Sequence, residues 1–265
     1  MKALRAVILF AAIPLAMSGQ SPWHAEGDIY RLCNGGLVLA VDAALAGRVT
    51  AMSYGGVDLL TSPEVNPRFH GSTLWISPQA NFWPENPVFD TVEYSALTAG
   101  DVLRLESPAS SGGLKVTKEY RPVDGLEALS VRYELTNVSD SVMALAPWSV
   151  LRVLPGLTFF PEEGNGCRWI DQNVLKEEKA WKQYFSATGG WLAHRRENVD
   201  LIICYPDIEA AEVPDGQGEL EVYCAPAGSY VELETHGRFC SIAPGESISY
   251  SMIWLASHAD NSNLK

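Results

Sequence analysis

Residues Leu126–Val153, LEALSVRYELTNVSDSVMALAPWSVLRV, hold two long patterned runs around a short polar turn. In the first, Leu129, Val131, Tyr133 and Leu135 alternate with Ser130, Arg132, Glu134 and Thr136. Side chains along a strand point alternately to its two faces, so a period of two predicts a strand with one face on a core. Asn137-Val138-Ser139-Asp140 has the small polar residues of a reversal, and Val142–Val153 runs out again as a second, more apolar strand. A Pro147-Trp148 break inside that second run suggests a bulge that re-aims a side chain, with core packing as the competing account.

The same pattern extends outward in both directions. Upstream it covers Ile29–Cys33, Leu37–Val41, Val49–Tyr54, Val88–Ser95, Val102–Glu106 and Leu114–Tyr120. Downstream it covers Trp191–His194, Leu201–Tyr205, Leu220–Cys224, Tyr230–Thr235 and Ser247–Ala256. Turn signals such as Asn34-Gly35-Gly36, Gly55-Gly56, Asp124-Gly125, Asp215-Gly216 and Pro244-Gly245 stand between the runs. A dozen or more strands at this spacing read as an all-β chain, a large antiparallel β-sandwich or barrel. One segment differs. Gln172–Phe185 (QNVLKEEKAWKQYF) spaces Val174, Leu175, Trp181, Tyr184 and Phe185 as on a helix, with Asp171 as N-cap, and predicts the fold's one short helix.

The chain has 265 residues, 47% of them apolar, which excludes disorder and gives material for a substantial core. Nineteen basic against 32 acidic residues leave a net charge of −13, which disfavours nucleic acid and anionic lipid as partners and favours a neutral or cationic small molecule or a glycan. Lys2 and Arg5 precede an apolar run, Ala6–Met17, and small residues Ala16 and Ser18. That reads as a secretory signal over residues 1–18, too short to span a bilayer, with no membrane insertion after cleavage. The mature protein, residues 19–265, is then one periplasmic or secreted domain. Cys33, Cys167, Cys204, Cys224 and Cys240 show neither CxxC nor zinc spacing, and most lie in or beside strand-like runs, where the default is a small buried hydrophobe. No acidic or histidine cluster has metal-ligand spacing, and no cofactor fingerprint occurs.

Two stretches carry possible chemistry. Arg68–Glu85, RFHGSTLWISPQANFWPE, is too Pro-rich for a regular central strand and reads as a loop. Its Trp75 and Trp83 offer flat apolar faces, and Arg68, His70 and Gln79 offer directional hydrogen bonds. That mixture suits a pyranose, which presents a C–H face and a rim of hydroxyls. The competing account tucks both tryptophans into the core. In Tyr230–Phe239, YVELETHGRF, alternation sets Tyr230, Glu232 and Glu234 on one strand face, where a carboxylate could act as a general base. An ordinary solvated face is the alternative. His236 reads as part of a turn, His194 could face either side, and His24 and His258 read as solvated.

These pieces stand in a familiar order. LCNGGLVLAVDAALAGRVTAMSYGGVDLL resembles the opening hairpin of the galactose mutarotase-like superfamily, LSVRYELTNVSDSVMALAPW its central hairpin, and YVELE with IAPGESISYSMIWLA its closing strands. Within it, GRV and LWISPQANFWP look most like the uncharacterised family DUF4380. The resemblance implies a β-supersandwich that binds a mono- or oligosaccharide on a sheet face and needs no cofactor. In aldose 1-epimerases a Glu takes the anomeric proton and a His protonates the ring oxygen. The Glu matches Glu232 and the His matches His70, with His194 as the alternative acid and Arg68, Trp75, Gln79, Trp83, Trp148 and Glu234 as sugar contacts. A second family histidine is expected where Ala146-Pro147-Trp148-Ser149 stands, and Trp148 cannot donate a proton to a ring oxygen. Mutarotation therefore stands beside a non-catalytic glycan-binding module, a glycoside hydrolase using two carboxylates, and a protein-interaction module.

Overall fold

The structure is a computed structural model that describes residues 21–79, 87–164, 166–174 and 179–259. The expected signal segment at 1–18 and Trp83 lie outside the described residues. In chain order the strands are β1 Trp23–Glu26, β2 Ile29–Asn34, β3 Leu37–Asp42, β4 Arg48–Tyr54, β5 Val57–Asp58, β6 Ser72–Ser77, β7 Ser95–Ala99, β8 Val102–Glu106, β9 Leu114–Pro122 and β10 Ala128–Asn137. They continue as β11 Met143–Val153, β12 Leu157–Glu162, β13 Gly166–Asp171, β14 Trp181–Phe185, β15 Trp191–Arg196, β16 Val199–Cys204, β17 Leu220–Cys224, β18 Val231–His236, β19 Cys240–Ile242 and β20 Ser247–His258.

Two antiparallel sheets result. The first runs β1-β2-β3-β4-β6-β11-β18-β17-β14, with β5 on β4 and β19 on β11. The second runs β13-β12-β15-β16-β20-β10-β9-β8-β7. The Leu126–Val153 stretch is split between them: β10 lies in the second sheet and β11 in the first, so the Asn137–Asp140 turn carries the chain from one layer to the other. Between the layers, Thr235 of β18 accepts a hydrogen bond from the Tyr250 hydroxyl of β20 at 2.8 Å. Leu74, Leu151, Leu233 and Val222 share that inner side with Met252 and Trp254 in one continuous apolar core. The chain is a two-layer antiparallel β-sandwich.

Three expectations are corrected. Ser72–Ser77 is no loop but a central strand in which all six residues are buried. Both its faces are covered, so it carries no alternation, and Pro78 falls just past its end, where it removes no ladder hydrogen bond. Trp181–Phe185 is not helical: β14 pairs with β17 from Trp181↔Cys224 to Phe185↔Leu220, and Gln172 sits in a turn after β13. The helix spacing there arose from side chains that flank an edge strand, and Val174, assigned to the apolar stripe, is 71% exposed. Among the described residues a short helix, α1, spans Pro87–Asp90, in place of part of the strand expected over Val88–Ser95. Of the cysteines, Cys224 is buried as expected, whereas Cys33 and Cys167 are exposed.

Candidate functional site

Strand register builds the site on the outer face of the first sheet. Trp75, Trp148 and His236 stand opposite one another across β6, β11 and β18. Two residues along, Thr73, Val150, Glu234, Glu221 and Tyr184 form the next row, across β6, β11, β18, β17 and β14. Arg152, Glu232, Tyr223 and Lys182 form the third. Period-two geometry thus sends every second residue of five strands to one surface, while their neighbours fill the core.

Arg152 is fully buried and anchors one end of this face. Its Nε donates to Glu232 Oε1 at 2.8 Å and its Nη1 to Thr73 Oγ1 at 3.1 Å. Its guanidinium lies 5.0 Å from the Trp75 ring centre and 5.3 Å from that of Phe69. Trp75 in turn donates from Nε1 to the Asp90 carboxylate, at 3.0 and 3.1 Å to its two oxygens. Asp90 also lies 3.5 Å from Arg48, whose guanidinium burial pushes down to about 10 despite that carboxylate. Helix α1 therefore serves to deliver Asp90 to Trp75 and Arg48.

At the other end, Trp148 Nε1 donates to Glu234 Oε2 at 2.8 Å. Lys182 Nζ bridges Glu234, at 3.0 Å, and Glu221, at 2.6 Å. Burial pushes the Glu234 carboxyl up and Lys182 opposes it. Gln217 Nε2 and the Gly218 amide donate to Glu221 Oε1, at 2.8 and 3.0 Å. His236 is not in a solvated turn but fully buried, stacked on Trp148 at 5.4 Å and 18°. Burial and the Lys182 charge hold its imidazole neutral down to about 3.

His70 is buried beside Arg48, with Nδ1 3.5 Å from Arg48 Nη1. Guanidinium can only donate, so Nδ1 is the acceptor and Nε2 carries the hydrogen. Burial first, and the Arg48 charge second, lower its pKa; the Asn66 and Pro67 carbonyls beside the ring oppose this. Gln79 reaches the second half of the chain, its amide donating to Gln217 Oε1 at 3.2 Å. Arg68 is exposed, its guanidinium 4.9 Å from the Phe69 ring centre.

The fold thus brings Trp75, Trp148, Glu232 and Glu234 onto one surface, with His70 and Gln79 at its margin. Trp148 is 2% exposed and Glu234 is sealed beneath the surface, so both form the floor; of Glu221, Glu232 and Glu234, Glu232 alone keeps side-chain exposure, at 12%. Sequence reading missed Arg48, Asp90, Arg152, Lys182, Glu221 and His236. For Arg152 and Glu221 the signal was present: each is a charged residue on a strand whose neighbours read as core. His194 faces inward and is spent on structure, with Nδ1 2.9 Å from Thr158 Oγ1 and Nε2 2.9 Å from the Leu154 carbonyl. Among the described residues no three His, Cys, Asp or Glu side chains are grouped so as to hold a metal ion.

No protein-family model and no curated protein sequence matches the chain. Solved structures do. A galactose mutarotase-like protein from Clostridium acetobutylicum superposes with a TM-score of 0.58 at 11% identity, covering 87% of this chain and 95% of that one. A GalM/aldose epimerase homologue from C. elegans gives 0.56 at 11% identity, with 88% and 99% covered. A TPR-domain containing protein from Parabacteroides distasonis gives 0.60 at 17% identity over 89% of this chain, which spans only 48% of that protein's length. The fold is shared across these proteins.

Proposed function

We propose that this chain binds carbohydrate on the outer face of its first sheet, with Glu232 as the central acceptor. One observation carries the reading: unsatisfied buried polar atoms crowd this face. Arg48 Nε, Arg152 Nη2 and Glu234 Oε1 have no hydrogen-bond partner. Each such group costs about 1–3 kcal/mol when left unpaired. A concentration of them beside an accessible carboxylate suits a ligand rich in hydroxyl donors and acceptors. Glu232 would then meet hydroxyls, with the buried Arg152 and Trp75 in the floor beneath it, Gln79 and Arg68 the rim of the ring, and the half-buried Tyr223 its C–H face. Trp83 belongs to the same proposal from its place in the sequence, six residues after the end of β6. Export by the 1–18 segment, and the DUF4380 likeness, stand on the sequence motifs.

The mutarotase fold and the accessible Glu232 support a second reading, in which the bound sugar's anomers are exchanged. Glu232 would take the anomeric O–H proton while the C1–O5 bond breaks, a proton reaches O5, and C1 becomes a carbonyl. Rotation about C1–C2 and the reverse steps would return the other anomer. His70 would serve as a neutral N–H donor to O5, a role a lowered imidazole pKa permits. Its enclosure by Arg48 and the Asn66–Pro67 carbonyls favours binding without turnover. Glycan-array binding tests the first reading, and absence of any bound glycan overturns it. Equilibration of a pure α-anomer followed by NMR tests the second: acceleration abolished in Glu232→Gln supports exchange, and no acceleration with any bound aldose removes it.

A further inference from the structure

Beyond the edge strand β14, a cavity of about 500 Å³ opens, within the range of about 300–1,000 Å³ usual for small-molecule sites. Its wall includes Tyr184, Gln217, Glu163, Asp207, Glu209 and Glu219, and no Lys or Arg is among its described lining residues. It is continuous with the carbohydrate face. Gln217 touches Glu221 and the Gln79 amide, and Tyr184 stands beside Lys182, whose Nζ lies 5.5 Å from its ring centre. Tyr184 is 50% exposed, an aromatic surface open to a ligand.

Four carboxylates line the wall, Glu163, Asp207, Glu209 and Glu219, with no cationic side chain opposite them among the described residues. Asp207 and Glu209 are exposed acids at the rim, and Glu219 is buried behind them, one oxygen accepting from the Ile208 amide at 3.2 Å. Burial, reinforced by Asp207, pushes Glu219 up to about 7. The Tyr205 hydroxyl, in a residue only 6% exposed and without a hydrogen-bond partner, lies within electrostatic reach of both Glu219 and Asp207. An occupant complementary to this wall brings positive charge, together with a ring face for Tyr184.

We propose that this cavity is a second sugar subsite selective for an amino sugar, whose ammonium pairs with Asp207 and Glu209 while its ring stacks on Tyr184. The inference rests on the carbohydrate reading and extends it: the ligand is an oligosaccharide, with one ring near Glu232 and an amine-bearing ring in the cavity.

The test is calorimetric titration with a β-1,4-linked glucosamine trisaccharide and its N-acetylated counterpart at about pH 6, where a free amine is charged. The wild-type chain is expected to prefer the free-amine form by about tenfold or more, as for a charge-assisted contact. Asp207→Asn/Glu209→Gln should bring the two affinities within about threefold of each other, chiefly by weakening binding of the free-amine form. A charge-matched control, Asp124→Asn/Asp140→Asn, should keep the preference, which separates the cavity from the general pull of a chain with net charge −13. Equal affinities, or a preference untouched by the cavity variant, overturn the subsite and leave the carbohydrate reading standing. Failure of both trisaccharides and of every other glycan overturns the two together.

Discussion

Arg152 and Glu232 face each other in register across β11 and β18, and their side chains meet at 2.8 Å on the sheet's outer face. The arginine is fully buried while the glutamate keeps 12% side-chain exposure, so the pair anchors the surface from beneath. Removing one member of such a pair leaves the other charge in low dielectric. Glu232→Ala is therefore expected to cost about 3 kcal/mol in urea denaturation, while Glu232→Gln, which keeps an acceptor for Arg152 Nε, should cost less than half of that.

Gly71 sets the approach to β6. Its φ is +62°, and a Cβ there would sit 2.2 Å from the Val49 carbonyl oxygen, a backbone atom that cannot swing away. The Arg152 amide donates to the Gly71 carbonyl at 2.9 Å, so displacing residue 71 also displaces Arg152. Gly71→Ala should lower stability by at least about 2 kcal/mol, read as a lower urea midpoint.

Trp148→Phe keeps the ring stacked on His236 and deletes the donor to Glu234. The expected loss is about 1–3 kcal/mol, the range for leaving a buried acceptor short of a partner. Equal stability of the variant and wild type would show that Lys182 alone satisfies Glu234.

His194 gives a pH signature outside the site. Burial lowers its pKa to about 4 from an ordinary 6.5, so between those values the unfolded chain binds the extra proton. Stability should be complete above about pH 6.5 and fall as pH drops toward 4, at up to about 1.4 kcal/mol per pH unit from this group. His194→Gln should flatten that window in a pH series of urea melts. An unchanged slope would mean the imidazole is charged in the fold.

Much of the sandwich was legible because half-buried strands announce themselves by alternation. Val102–Glu106 and Leu220–Cys224 coincide with the observed strands at both ends. Elements with other burial did not. STLWIS of β6 is buried on both faces and carries no period, and β14 is an edge strand whose Trp181 and Tyr184 are both partly exposed. The site was half legible for the same reason. Glu232 and Glu234 share a face by simple counting, but the pairing of Arg152 with Glu232 depends on which strands become neighbours 80 residues apart. His236 was hidden by the glycine that follows it: the turn begins one residue later than the sequence suggests.

The most direct measurement is saturation-transfer NMR on a panel of aldoses and oligosaccharides, with the wild-type chain, Glu232→Gln and Tyr223→Ala compared at equal protein stability. Saturable transfer from the wild-type chain, weakened about tenfold or more in affinity by both substitutions, is the expected result. Sugar binding that neither substitution alters, or no transfer to any sugar in the panel, would contradict a carbohydrate site centred on Glu232.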